Sequence, residues 1–453
     1  MTDLTFLRHF PSDFTFGTAT SSYQIEGSSF GGCGESHWDS FARQDGTTFQ
    51  GEDGRVACDH YHLWPKDLDL IAQAGLSAYR FSLSWPRLLP DQSFAGQRFT
   101  GHGGNANPDG IAFYDRLIDG MLERGLTPYA TLYHWDLPSR FANKGGWCNR
   151  DTTLYFADYT DLVMRHFGDR LTSIATINEP WCVAWLSHYW GAHAPGLTDL
   201  GATAKAMHHI LLAHGQAMSV MREHGHKNLG IVLNKEFGTP ADDSQTALEK
   251  THLFDGIYNR WFEDGVYKGC YPDEVLALFD GHMPDGWQDD MAIISQKTDW
   301  TGVNYYTRSV ITPDHTEPHI GFRCDRGHLP KTDMGWEVYP EGLSFFLHRL
   351  AKDYTHDMPI YITENGMAND DIIRDDVVPD DARIAYLKAH LEQVQDGMAN
   401  GLPIKGYFAW SLLDNFEWAF GYDKRFGLVH VDYATQKRTP KASYLALQQA
   451  LLG

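Results

Sequence analysis

Short apolar runs rich in β-branched and aromatic residues recur along the chain and alternate with segments whose apolar positions repeat at helical spacing. Eight runs read as buried strands, at 14–18, 78–83, 127–133, 173–178, 229–234, 300–305, 359–363 and 404–410. The clearest helix starts at Asn107-Pro108-Asp109, places Tyr114, Leu117, Ile118, Met121 and Leu122 on one stripe, and stops at Gly125. A capping residue, a first-turn proline and a terminal glycine agree on its ends. A second helix puts Phe156, Tyr159, Val163 and Phe167 on one face and stops at Gly168. Strands alternating with helices in this way predict an α/β fold, a (β/α)8 barrel of the TIM type.

Such a barrel needs about 250 residues, so roughly 200 of this chain remain for extended βα loops and insertions. Polar, Gly-rich stretches at 91–107, 236–249 and 312–335 are expected to hold much of that surplus and to deepen the barrel mouth into a pocket. No Pro/Gly/Ser-rich linker divides the sequence, which predicts one domain over residues 1–453. With 37 basic and 59 acidic residues the net charge is -22, which opposes binding to nucleic acid or an anionic membrane. No apolar segment is long enough to span a bilayer, and no secretory signal is visible. Six cysteines, at 33, 58, 148, 182, 270 and 324, form no close cluster, so neither a zinc site nor a dense disulfide framework is expected, and a cytoplasmic location fits. A homo-oligomer is compatible with all of this.

Barrel chemistry belongs at the C-terminal ends of the strands, and there the chain places polar and aromatic clusters. His134-Trp135 follows the third strand, Asn178-Glu179 the fourth, Asn304 to Tyr306 closes the sixth, Glu364 follows the seventh and Trp410 ends the eighth. Glu179 lies in Thr176-Ile177-Asn178-Glu179-Pro180, and Glu364 in Tyr361-Ile362-Thr363-Glu364-Asn365-Gly366. Two carboxylates on one rim point to glycoside hydrolysis. One carboxylic acid must protonate the leaving oxygen while one carboxylate stabilises or traps the positive sugar carbon.

These segments, together with Ser22-Tyr23-Gln24-Ile25-Glu26-Gly27, Tyr79-Arg80-Phe81-Ser82, Leu132-Tyr133-His134-Trp135-Asp136-Leu137-Pro138 and Asn415-Phe416-Glu417-Trp418, resemble glycoside hydrolase family one, the β-glucosidase family. The match extends from Phe14 to Lys441. The resemblance implies a retaining exo-glycosidase with no metal or cofactor, in which Glu179 is the acid/base, Glu364 the nucleophile, and Arg80, Asn304 and Tyr306 complete the catalytic group. It implies that Asn178 binds the sugar 2-hydroxyl, that Gln24, His134, Trp135, Glu417 and Trp418 surround the other hydroxyls, that Trp410 faces the sugar ring, and that Trp336 contacts the leaving group. Cys182 and Trp185 are candidates for the same entrance. Relatives acting on 6-phosphorylated sugars lack the Glu417 carboxylate, whose charge would repel phosphate, so an unphosphorylated sugar is expected. The partner is then a small glycoside or short oligosaccharide, with glucose, galactose and fucose all compatible as the glycone.

Competing patterns lack their context. Gly27-Ser28-Ser29-Phe30-Gly31 has the spacing of a serine-hydrolase elbow, but its expected strand is missing and His102-Gly103-Gly104 comes too late to serve as its oxyanion loop. Gly101, Gly103 and Ala106 have dinucleotide-loop spacing without a leading strand. His208, His209 and His214 share a helix but not the spacing of a zinc protease, and are read as helix surface and core. A sugar-binding barrel without catalytic activity is the remaining alternative.

Overall fold

The computed structural model describes residues 3–90, 106–374 and 377–453. Eight parallel strands close into a barrel: β1 (Thr15–Ala19), β2 (Ala78–Ser82), β3 (Thr127–Tyr133), β4 (Ser173–Asn178), β5 (Leu229–Pro240), β6 (Trp300–Pro313), β8 (Ile360–Asn365) and β9 (Ile404–Trp410). A short strand, β7 (Phe322–Asp325), pairs antiparallel with the far end of β6. Neighbours run in the order β5-β4-β3-β2-β1-β9-β8-β6, and pairing of β5 with β6 closes the ring.

Alternation along the strands sorts the two faces. In β2, Tyr79 and Phe81 join the outer layer between barrel and helices, while Arg80 turns inward among the site residues. Below the pocket the interior is filled by rings from four strands: Tyr129 lies 5.0 Å from Phe408 and 5.8 Å from Tyr361, which is 5.6 Å from Trp300. This aromatic floor packs the barrel interior beneath the pocket, which opens at the C-terminal rim.

The helix over Pro108–Glu123 buries Tyr114, Leu117, Ile118 and Met121, and Asn107 caps it through Asp109 N. Leu122, expected on the same stripe, is 46% exposed because it lies at the stripe's solvent edge. Residues 91–105 lie outside the described residues. The other two predicted loop stretches are partly regular structure: β5 runs on to Pro240, a helix covers Gln245–Asp255, and β7 occupies part of 312–335. The far ends of β5 and β6 pair with each other, and β6 with β7; Lys235, Glu236, Thr307 and, just after β7, Arg326 line one side of the mouth. Among the described residues no helix is long and apolar enough to cross a membrane.

Candidate active site

Two strand ends place the carboxylates. Glu364 lies near the end of β8, and the following Gly366 permits close approach to β9, since a Cβ there would fall 1.9 Å from the Trp410 carbonyl oxygen. Glu179 follows β4 in a left-handed conformation (φ 50°), with its N–H held by Val232 O at 2.9 Å. Such a backbone is costly for a non-glycine residue and turns the side chain off the strand into the barrel mouth. Directly after it, residues Cys182–Leu186 form a π-helical turn, a device that redirects side chains at functional sites.

Glu364 accepts from Arg80 Nη1 at 2.6 Å on one oxygen and from the Tyr306 hydroxyl at 2.7 Å on the other. Arg80 Nη2 donates to Asn178 Oδ1 at 2.6 Å, and Asn304 Nδ2 donates to the same oxygen at 3.1 Å and to Glu179 Oε1 at 2.7 Å. Thr363 fixes the Asn304 amide by donating to its Oδ1 at 2.7 Å. One hydrogen-bonded chain, Glu364, Arg80, Asn178, Asn304 and Glu179, thus joins the two acids. The second Glu179 oxygen accepts from the Cys182 thiol at 3.1 Å.

The two carboxyls have unequal surroundings. Burial and then the Glu364 charge raise the Glu179 carboxyl to about 8. Burial also pushes Glu364 upward, but Arg80, Tyr306 and Asn304 counter it. The contacting cation and phenol lie against Glu364, so the pair shares its negative charge toward Glu364 and its proton toward Glu179. The Tyr306 phenol is pushed well up by burial and by Glu364, which keeps it a donor. His134 is pushed well down by burial and by Arg80, and its neutral Nε2 accepts from Asn178 Nδ2 at 3.2 Å.

The pocket encloses about 340 Å³, enough for a sugar ring. Of the residues expected there, Glu179, Glu364, His134, Trp135, Tyr306, Trp336, Trp410, Glu417 and Trp418 form its wall. Arg80, Asn178, Asn304 and Gln24 lie in the layer directly behind. Gln24 is fully buried and commits its amide to Asn415 Oδ1 (3.0 Å), Phe416 O (2.9 Å) and Glu417 Oε2 (3.4 Å), so here it braces the Glu417 segment. Trp135 bonds Asn178 O through its indole at 2.8 Å, and Trp418 packs 4.7 Å from it, ring to ring.

Three expectations change. Glu417 is not a simple anion: burial and then Glu364 and Glu179 raise it to about 8, so it is largely protonated at neutral pH. Trp185 does not line the entrance; it is 1% exposed and stacks on Tyr189 at 4.4 Å. His208, His209 and His214 are all core, bonding Tyr271 and Asp290, Trp147 O and Thr176 respectively. The segment 27–31 follows a short helix rather than a strand, which removes the nucleophile-elbow geometry.

Sequence reasoning missed the outer wall. Trp181 stacks on Tyr258 at 4.0 Å and meets Trp190 edge-on at 5.3 Å, and with Trp336, Phe426 and Arg326 they surround the mouth. Trp181 and Trp190 could have been found from their closeness to Glu179. Tyr258 carries no local signal, because the β5 extension and the helical segment after it bring it back to the site.

Comparison with known proteins agrees with this arrangement. Residues 7–450 match the family described as Glycosyl hydrolase family 1. The chain is 46% identical over 449 residues to a beta-glucosidase of Agrobacterium sp., covering 97% of this chain and 94% of the relative. It is 41% identical over 461 residues to a bifunctional beta-D-glucosidase/beta-D-fucosidase of Bifidobacterium breve, covering 96% of each. Its fold superposes on the beta-glucosidase of Thermotoga maritima in complex with glucoimidazole with a TM-score of 0.91 at 42% identity, covering 100% of this chain and 99% of that one. The chain belongs to glycosyl hydrolase family 1.

Proposed function

We propose that this protein is a retaining, exo-acting β-glucosidase that removes terminal unphosphorylated β-D-glucosyl residues from small glycosides and short oligosaccharides such as cello-oligosaccharides. The observation that carries this is the asymmetry of the pair: Arg80 and Tyr306 hold Glu364, while Glu179 has only neutral donors, Asn304 and Cys182. Glu364 attacks the anomeric carbon as Glu179 protonates the leaving oxygen. The ester neutralises Glu364, the raised pKa of Glu179 falls, and Glu179 then takes a proton from the attacking water. Asn178, held by Arg80 and Asn304, faces the position of the 2-hydroxyl, a contact that strengthens as positive charge grows on the sugar.

Glucose preference is supported by the names of both curated relatives and by the glucoimidazole complex of the Thermotoga protein, and the Bifidobacterium relative supports β-fucosides as further substrates. Preference for unphosphorylated sugars rests on Glu417, which is braced by the Gln24 amide at 3.4 Å and puts a carboxyl at this position instead of a cation that could receive phosphate. Six free cysteines support a reducing cytoplasm. Release of nitrophenol from a panel of nitrophenyl β-glycosides tests the reading. Intact glucose binding without turnover between pH 5 and 8 would replace it with a binding protein.

A further inference from the structure

Glu179 has one donor on each oxygen, and the two donors differ in kind. Asn304 Nδ2 can only donate, and Thr363 locks its amide, so Oε1 is permanently occupied at 2.7 Å. The transferable proton therefore resides on Oε2, the oxygen 3.1 Å from Cys182 Sγ. A thiol can donate to that oxygen when it is ionised and turn away, or accept weakly, when it is protonated. Cys182 is buried on the π-helical turn after Glu179, and burial together with the Glu179 charge keeps its thiol protonated.

We infer that Cys182 is a positioning residue for the proton of Glu179: its thiol is a weak, reversible donor that supports the ionised carboxylate in the water-activating half of the reaction. The inference rests on the assignment of Glu179 as acid/base. Other groups face Glu179 or the thiol: Glu364 from β8, Arg80 from β2, Tyr306 and Asn304 from β6, Glu236 from β5, Tyr258 from the helical segment beyond β5, and Glu417 after β9; of these, Glu364 and Glu236 also help hold the thiol protonated. A hydroxyl at this position is a stronger donor and a methyl group none, so the two replacements move Glu179 in opposite directions.

The test is the pH profile of kcat/KM on a poor aryl glucoside for the parent, Cys182→Ser, Cys182→Ala and Cys182→Val, with thermal melting to check folding. The alkaline limb moves down in Cys182→Ser and up in Cys182→Ala and Cys182→Val, each by roughly half a pH unit, the scale of one weak hydrogen bond. Unmoved limbs in folded variants, or shifts of one sign for Ser, Ala and Val alike, overturn the inference. Glu179→Gln separates this from the parent assignment: if it keeps the alkaline limb and full activity on the poor substrate, Glu179 is not the acid, whatever Cys182 does.

Discussion

Arg80 grips Glu364 at 2.6 Å with both side chains under 5% exposed, so the nucleophile carries its charge against a fixed guanidinium. Breaking a buried pair of this kind leaves an uncompensated charge and costs about 3–5 kcal/mol. Arg80→Met is therefore expected to lower stability by that order and to move the acid limb of the pH profile up, because Glu364 loses its strongest charge-stabilising partner. Urea unfolding and kcat/KM against pH measure both; an unmoved acid limb would show that Arg80 does not set the charge on Glu364.

Glu364→Ala should lower turnover by roughly 10⁴-fold or more, as for removal of a nucleophile that works as part of a unit. Azide or formate should restore slow turnover, since a small anion fits the vacated space beside Arg80 and Tyr306. NMR of the product should show α configuration. A β product would contradict the assignment.

With Glu179→Ala the loss should track the leaving group, about 10²- to 10⁴-fold for poorly activated glucosides and far less for dinitrophenyl glucoside. Equal losses across a leaving-group series would remove Glu179 from the proton-transfer step.

Activity of the free enzyme should fall as pH rises through about 8, where burial and Glu364 place the Glu179 carboxyl. Because Glu417 is raised to the same region, Glu417→Gln identifies the limb. The limb persists in that variant if Glu179 is its source, and vanishes if Glu417 is.

A carboxyl raised in the folded state contributes its stability below its ordinary value and loses that contribution as pH climbs to the raised one. Glu417 is raised from 4.5 to about 8, so the empty protein should lose stability over that window. In Glu417→Gln, melting temperature should fall less steeply between pH 5 and 8, an outcome that differential scanning calorimetry reads directly.

Much of the barrel could be read from the chain because each strand is a short run whose apolar content matches its buried setting. β3, β4 and β9 coincide with the sequence reading, and Glu179 and Glu364 lie at strand ends as expected. The extensions of β5 and β6 were not legible: Phe237 to Pro240 are half-buried, and in Thr307 to Pro313 the alternating buried positions are Thr307, Ser309 and Ile311, two of them polar, so pairing with each other and with β7 makes them strands. The Glu417 charge was misjudged for a related reason. A residue type shows that a proton can leave, but burial first, and then two neighbouring carboxyls distant in sequence, decide whether it does. Gln24 likewise shows its bracing role only once residues 415–417 have folded against it.

Asn178 accepts from Arg80 and Asn304 on a single oxygen, so one amide is the junction for both halves of the site. Damage to such a junction is counted once. Variants at Arg80, Asn178 and Asn304 should be strongly epistatic, the second change adding little after the first, whereas changes at Trp181, Trp190 or Arg326 on the outer wall share no hydrogen bond with that chain and should combine nearly additively. Directed evolution of this enzyme thus has a rugged interior and a smooth rim, and selectivity for the departing group is the trait most open to gradual improvement.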